Sequence, residues 1–252
     1  ALRRSLYQLR EAIDDLDYAL SASTHEAEQK KCAIILGRAG TGKSHLLASE
    51  AGRALAAKEP AVILLGTDFV GTELPEIQIL KRLGLGNLSV PQFLGALQTK
   101  AEHRQSRCLI VIDALNEGAG GAVWRERLSG FVDLVLQYSR LALCVSCRSE
   151  YADFVLTDAA KRKSITTEVM GFATVEEQER AAQIYMDRRG ILRPPTPWLS
   201  PEFSNPLFLR TTCIALEKEN QKEFPKGLRG TRHLLSFYLS TAARHLGTSY
   251  DG

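Results

Sequence analysis

Ala33-Ile34-Ile35-Leu36-Gly37-Arg38-Ala39-Gly40-Thr41-Gly42-Lys43-Ser44-His45-Leu46-Leu47 is the stretch that decides the fold. It opens on four apolar residues and turns through three glycines. Leu47, Ala51, Ala54 and Leu55 then recur at the spacing of one helix face. Strand, glycine-rich turn and helix together are the setting in which Gly-x-x-x-x-Gly-Lys-Ser cradles phosphate. The glycines let the backbone curl until its N–H groups converge as an anion nest. The following helix adds the partial positive charge of its N-terminus. On this reading Gly37, Arg38, Ala39, Gly40, Thr41, Gly42, Lys43, Ser44 and His45 form a nucleotide site for ATP. Lys43 would reach the β- and γ-phosphates and Ser44 would hold Mg²⁺.

Working outward, apolar runs at 61–65, 109–112 and 141–147 read as further strands, and 165–169 as a fifth. The run at 61–65 is ended by Gly66-Thr67-Asp68. Helices are expected around Phe93, Leu94, Leu97 and Ala101, after a turn-rich connector at 85–91. Another is expected from about Trp124 to Tyr138, with Leu128, Phe131, Val132 and Val135 inward. Apolar strands alternating with helices predict an α/β fold: a parallel sheet covered on both faces, over residues 1–170. A helix carrying Leu2, Leu6, Leu9, Ile13 and Leu16 should precede it. The pattern changes after Gly171. Thr174-Val175-Glu176-Glu177 reads as a capping box opening a helix that runs to Arg189 and stops at Gly190. A Pro-rich connector follows at 193–201. Asn205-Pro206 opens another helix with proline at its first position, and a last one is expected at 231–245. Residues 171–252 are thus expected to be a small all-helical domain, with the start of a winged-helix region at its end.

Bulk properties exclude several classes. The chain has 252 residues, 44% hydrophobic and 24% charged, with a net charge of +3. A nucleic-acid domain should concentrate its basic residues in a patch. Here they are scattered, and Lys161-Arg162-Lys163 reads as a solvated loop, so no direct nucleic-acid binding is expected. No apolar run approaches the ~20 residues of a membrane helix, and no signal peptide is visible. The five cysteines fall mostly in strand-like runs. Cys144 and Cys147 match C-x-x-C, but no second pair completes a zinc site. They read as core packing in a reducing, cytoplasmic setting. Beginning at Ala1 rather than Met, the sequence is expected to be part of a longer protein.

The strand at 109–112 ends in Asp113, the acidic partner that a phosphate loop needs for Mg²⁺ or its bound water. Glu117 is the candidate to polarise the attacking water. Asn116 either positions that water or the Mg²⁺ shell, or caps the loop toward Trp124. Arg148 closes the fourth strand, at the edge of the sheet that faces the ligand crevice, where it would sense a γ-phosphate. Common GTPases need Asn-Lys-x-Asp, which is missing. Transporter ATPases need Leu-Ser-Gly-Gly before the acidic strand; Leu128-Ser129-Gly130-Phe131 comes after it. No Arg-rich lid of a small-molecule kinase follows the loop. The strand at 61–65 fits instead the ATPase division with an additional central strand and a catalytic Glu.

Asp113-Ala114-Leu115-Asn116-Glu117-Gly118 resembles the Walker B segment of STAND NTPases, whose cores are NACHT- and AAA-like. Further stretches narrow the resemblance to bacterial antiviral STAND proteins (the Avs group). They are Leu64-Leu65-Gly66, 93–97, Cys147-Arg148-Ser149-Glu150-Tyr151, Gly171-Phe172 and 199–209 with Asn205-Pro206-Leu207-Phe208-Leu209. The resemblance spans about residues 30–240. It implies that Pro206 packs on adenine and that Arg148 is the sensor arginine. Asn116 stands where many STAND proteins have Asp, which suits the antiviral group and implies slow hydrolysis. A winged-helix His on the ADP β-phosphate is also implied, with His233 and His245 candidates by location. The implied mechanism is a switch. A domain outside this stretch would bind a phage protein such as terminase or portal, and ATP would then stabilise the open form. Protomers then assemble as a homo-oligomer, a tetramer by resemblance, and activate an N-terminal effector. The alternatives are a turnover AAA-type motor or loader acting on DNA or protein, and a nucleotide-binding scaffold without hydrolysis.

Overall fold

Four short apolar segments and one polar one become parallel strands: β1 (Cys32–Leu36), β2 (Ala61–Leu65), β3 (Cys108–Asp113), β4 (Leu141–Ser146) and β5 (Ile165–Glu168), the last reading Ile-Thr-Thr-Glu. Their order across the sheet is β2-β3-β4-β1-β5, and all four pairings are parallel. The computed structural model describes residues 30–192 and 201–223. The expected helices at 2–16 and 231–245, most of the Pro-rich connector, and His233 and His245 lie outside these residues.

The additional central strand exists, but it is not the expected one. β4 lies between β1 and β3, whereas β2 sits at the edge with Ile63 44% and Leu65 51% exposed. An apolar run reads alike at the centre and at an edge, because composition carries no information on strand order.

Helix α1 (Lys43–Ala56) buries Lys43, Leu47, Ala51 and Ala54. Leu55, expected on the same face, is exposed. α2 (Pro75–Arg82) falls in a segment where no helix was expected. Its buried Gln78 is satisfied at both ends of its amide, accepting from Val70 N–H at 2.9 Å and donating to Glu73 C=O at 2.7 Å. α3 (Val90–His103) starts inside the expected connector. Ser89 and Gln92 form its capping box, and Pro91 is tolerated in the first turn. α4 (Gly120–Leu136) starts four residues before the expected Trp124 and buries Leu128, Phe131, Val132 and Val135 as expected. α5 (Ala152–Val155) and α6 (Asp158–Lys163) are short. Lys161-Arg162-Lys163 is not a loop but the last turn of α6, where cations offset the negative end of the helix dipole.

Ile34, Ile110, Ile112, Leu143 and Val145 of the sheet share one apolar cluster with Leu128, Val132 and Val135 of α4. Each such side chain, fully buried, contributes roughly 1.5–3 kcal/mol. Trp124 stacks edge-on against Phe69 at 4.6 Å and Phe131 at 5.7 Å between ring centres.

Backbone contacts divide the chain into two units. The sheet and its helices form one. The other holds the Gly37–Gly42 loop and the segment from Val169 onward. Within the second unit, α7 (Val175–Asp187) begins with the expected capping box. Glu177 N–H donates to Thr174 Oγ1 and Thr174 N–H to Glu177 Oε2, both at 3.2 Å. The helix ends two residues before the expected Arg189. α8 (Pro206–Lys218) opens with Pro206 as expected. Ala181, Ala182, Met186, Phe203, Leu209, Cys213 and Leu216 form this unit's own core.

Candidate functional site

In the sheet unit, the strand order sets out the chemistry. β3 and β4 are parallel neighbours, so their C-terminal ends deliver Asp113 and Arg148 to the same edge. Lys43, at the start of α1, is 8% exposed and feels the charges of both. Burial pulls its ammonium below the ordinary lysine value; the carboxylate of Asp113 opposes this, and the positive charge of Arg148 adds to it. Asp113 is buried too, and is held from β4: Ser146 Oγ donates to Asp113 Oδ1. The same hydroxyl accepts Ala114 N–H at 2.8 Å. Ser146 is wholly buried, and one oxygen thereby fixes both the carboxylate and the peptide after it. Ala114 leaves the strand at φ +58°, a left-handed turn for a non-glycine residue.

Beyond that turn, Asn116 Oδ1 accepts the Arg148 N–H at 2.9 Å. Neither expectation for Asn116 described this contact, which ties the exit of β3 to the exit of β4. Arg148 Nη2 in turn binds Glu117 Oε1 at 2.7 Å. The candidate γ-phosphate sensor and the candidate water-polarising residue are therefore paired with each other. Ser44 and His45 are exposed on the first turn of α1.

In the second unit, the loop curls through Gly40 at φ +78° and Gly42 at φ +103°. Nothing crowds Gly42, so its requirement is conformational alone. Gly40 is also pressed: a Cβ there would lie 2.6 Å from Asn205 Oδ1 and 2.8 Å from Leu207 Cβ. Thr41 Oγ1 donates to Arg38 C=O at 3.0 Å and closes the turn. Arg38 and Ala39 are exposed. Asn205 Nδ2 donates to Ala39 C=O at 2.8 Å, and Leu207 N–H donates to Gly40 C=O at 3.2 Å. Pro206 is half-buried beside Gly171, where a Cβ would sit 3.1 Å from Pro206 Cδ. Sequence reading missed Ser146 and the contacts of Asn205. The one available signal for Ser146 was a hydroxyl ending an otherwise apolar strand.

The residues fit a Mg²⁺-nucleotide. Among the described residues no three His, Cys, Asp or Glu side chains converge on one point. Mg²⁺ does not need such a cage, since one or two protein oxygens and the phosphates suffice. In the sheet unit, Asp113, held by Ser146, offers such an oxygen, and the buried Lys43 feels its charge. Burial pushes the thiols of Cys144 and Cys147 up to about 12 and about 11.

The fold is similar to that of the Walker-type ATPase paby2304 of Pyrococcus abyssi, at 14% identity and a TM-score of 0.53, over 90% of this chain and 71% of that one. It is also similar to Cdc6p from Pyrobaculum aerophilum, at 17% identity and a TM-score of 0.47, over 76% of this chain and 57% of that one. The chain thus spans little more than half the length of Cdc6p. No family model matches, and no curated protein does. The parallel sheet, its strand order and the first of these likenesses establish the fold of the P-loop NTPases.

Proposed function

We propose that this chain binds ATP with Mg²⁺ and works as a switch module, in which occupancy by ATP rather than ADP sets the state. The Glu117–Arg148 ion pair carries this reading. Both groups have work to do on a γ-phosphate, and in this structure they lie 2.7 Å from each other. Their side chains are 42% and 39% exposed, and a pair exposed to that degree contributes at most about 1 kcal/mol. A γ-phosphate offers Arg148 a stronger, charge-assisted partner. ADP lacks that group and leaves the pair intact. ATP then has differential affinity for the state with the pair open, as a switch requires.

Lys43 binds the β- and γ-phosphate oxygens. Ser44 and Asp113 hold the Mg²⁺, which neutralises phosphate charge when bound. Freed from Arg148, Glu117 accepts a proton from the attacking water. The water oxygen bonds to the γ-phosphorus and the bond to the bridging oxygen breaks, giving ADP and phosphate. Pro206 packs on the adenine. The wider role rests on the sequence resemblance alone. It is an antiviral protein that assembles as a homo-oligomer, a tetramer by that resemblance, when another of its domains binds a phage protein.

The test uses the full-length protein, with ATP and a phage terminase or portal protein. Size is followed by light scattering and turnover by phosphate release. Lys43→Ala should abolish both nucleotide binding and assembly; assembly equal to wild type would overturn the switch. Glu117→Ala should bind and assemble but lose roughly 10²–10⁴-fold in turnover. An equal loss of ATP affinity in both variants would remove Glu117 from the chemistry. Sustained turnover without trigger or assembly would favour the turnover ATPase reading instead.

A further inference from the structure

We infer that Asn205 is a positioning residue for the phosphate loop: one side chain caps α8 with its oxygen and sets the Ala39–Gly40 peptide with its nitrogen. The inference rests on the nucleotide-binding reading of the loop. Asn205 Oδ1 accepts the backbone N–H of Leu207 at 3.0 Å and of Phe208 at 3.3 Å, an ordinary N-cap. Capping uses only the oxygen, and Asp or Ser would serve as well. Only the amide carries a separate donor group beside its capping oxygen, and Nδ2 gives one of its two protons to Ala39 C=O at 2.8 Å.

The consequence follows from peptide geometry. A trans peptide points its C=O and its N–H in opposite directions. No cis peptide occurs among the described residues. Holding the Ala39 carbonyl toward Asn205 therefore turns the Gly40 N–H the other way. The bond from Leu207 N–H to Gly40 C=O fixes the next peptide, whose Thr41 N–H meets Arg38 C=O at 3.5 Å. An anion nest needs N–H groups that face the anion, and the peptide carrying the Gly40 N–H is oriented here from outside the loop. Gly40 must lack a side chain for Asn205 to come this close. The loop and the start of α8 belong to the same compact unit, as such a tether requires.

Three variants of the full-length chain separate this role from capping. Asn205→Ser keeps a capping oxygen, adds no charge, and is too short to reach Ala39. Asn205→Ala removes cap and tether together. Lys43→Ala is the control for phosphate binding. Affinity for fluorescently labelled ADP is measured beside amide hydrogen exchange of the loop and of the first turn of α8. Asn205→Ser should speed exchange at residues 39–42, leave the first turn of α8 protected, and weaken ADP roughly three- to tenfold, the worth of one hydrogen bond. Asn205→Ala should speed exchange in both segments. Wild-type loop exchange and ADP affinity in Asn205→Ser would overturn the inference. So would equal loosening of loop and helix, which is what a merely structural cap predicts. If wild type and Lys43→Ala both fail to bind ADP, the nucleotide reading falls, and loop exchange in Asn205→Ser still decides the tether.

Discussion

Burial and charge act against each other at Lys43. Desolvation lowers its ammonium below the ordinary value of 10.5, and Asp113 restores part of the difference. A bound polyphosphate adds negative charge beside it and raises the value again. The free protein therefore has the lower pKa and the complex the higher. Between the two, binding takes up a proton, so affinity falls as pH rises through the free value and is constant below it. ADP dissociation constants measured from about pH 7 to about 10 should show that fall, at most tenfold per unit for one proton, and Lys43→Arg should flatten it because a guanidinium stays charged. An unchanged wild-type profile would separate Lys43 from the phosphates. Lys43 and Asp113 stood out as candidates in the sequence because phosphate chemistry calls for those residue types close after a strand. Ser146 did not. A buried hydroxyl in Leu-Ala-Leu-Cys-Val-Ser looks like tolerated core until its partners, 32 and 33 residues away, are in place. Asn205 was read as the opening of a helix, correctly, but its second partner lies 166 residues earlier and no local pattern announces it.

At the scale of elements, the exits of β2 and β3 and the start of α4 meet backbone to backbone. A Cβ on Gly66 would stand 2.1 Å from Ala114 C=O, and one on Gly120 would stand 2.2 Å from Gly66 C=O. Neither contact can be relieved by a rotamer change, since both partners are main chain. Gly66→Ala should therefore destabilise the chain by about 1–3 kcal/mol or more, as overpacking does, read as a lower midpoint in urea with an unchanged slope. Wild-type stability in that variant would mean the corner has slack. The sequence marked Gly66 only as the end of a strand. β1, β2 and β3 were legible because Val and Ile runs of this length bounded by turns have few other uses, and β4 and β5 because they fall between helical patterns. Strand order was not: Ala-Val-Ile-Leu-Leu at the edge is as apolar as Cys-Leu-Ile-Val-Ile-Asp beside it. α2 escaped notice because eight residues give barely two turns of periodicity.

For the molecule as a whole, a ligand that binds only the folded state stabilises it by mass action. Mg²⁺-ADP at a hundredfold its dissociation constant should contribute about 2.7 kcal/mol. For a chain of this size that corresponds to a rise of roughly 5–10 °C in the unfolding midpoint. Lys43→Ala should show none of it, and an equal rise in that variant would place the nucleotide elsewhere. The strand order carries a different consequence, for synthesis. β1 lies between β4 and β5, and its partners Leu143 and Ile165 come more than a hundred residues after it. A ribosome making this chain emits the whole phosphate-loop motif long before either neighbour exists. Until then Ile34 and Ile35 belong to a strand with two open edges, the kind of segment that aggregates or recruits a chaperone. The phosphate-loop motif is thus translated early, and its tether to Asn205 can form only once that residue, 166 positions after Ala39, has been made.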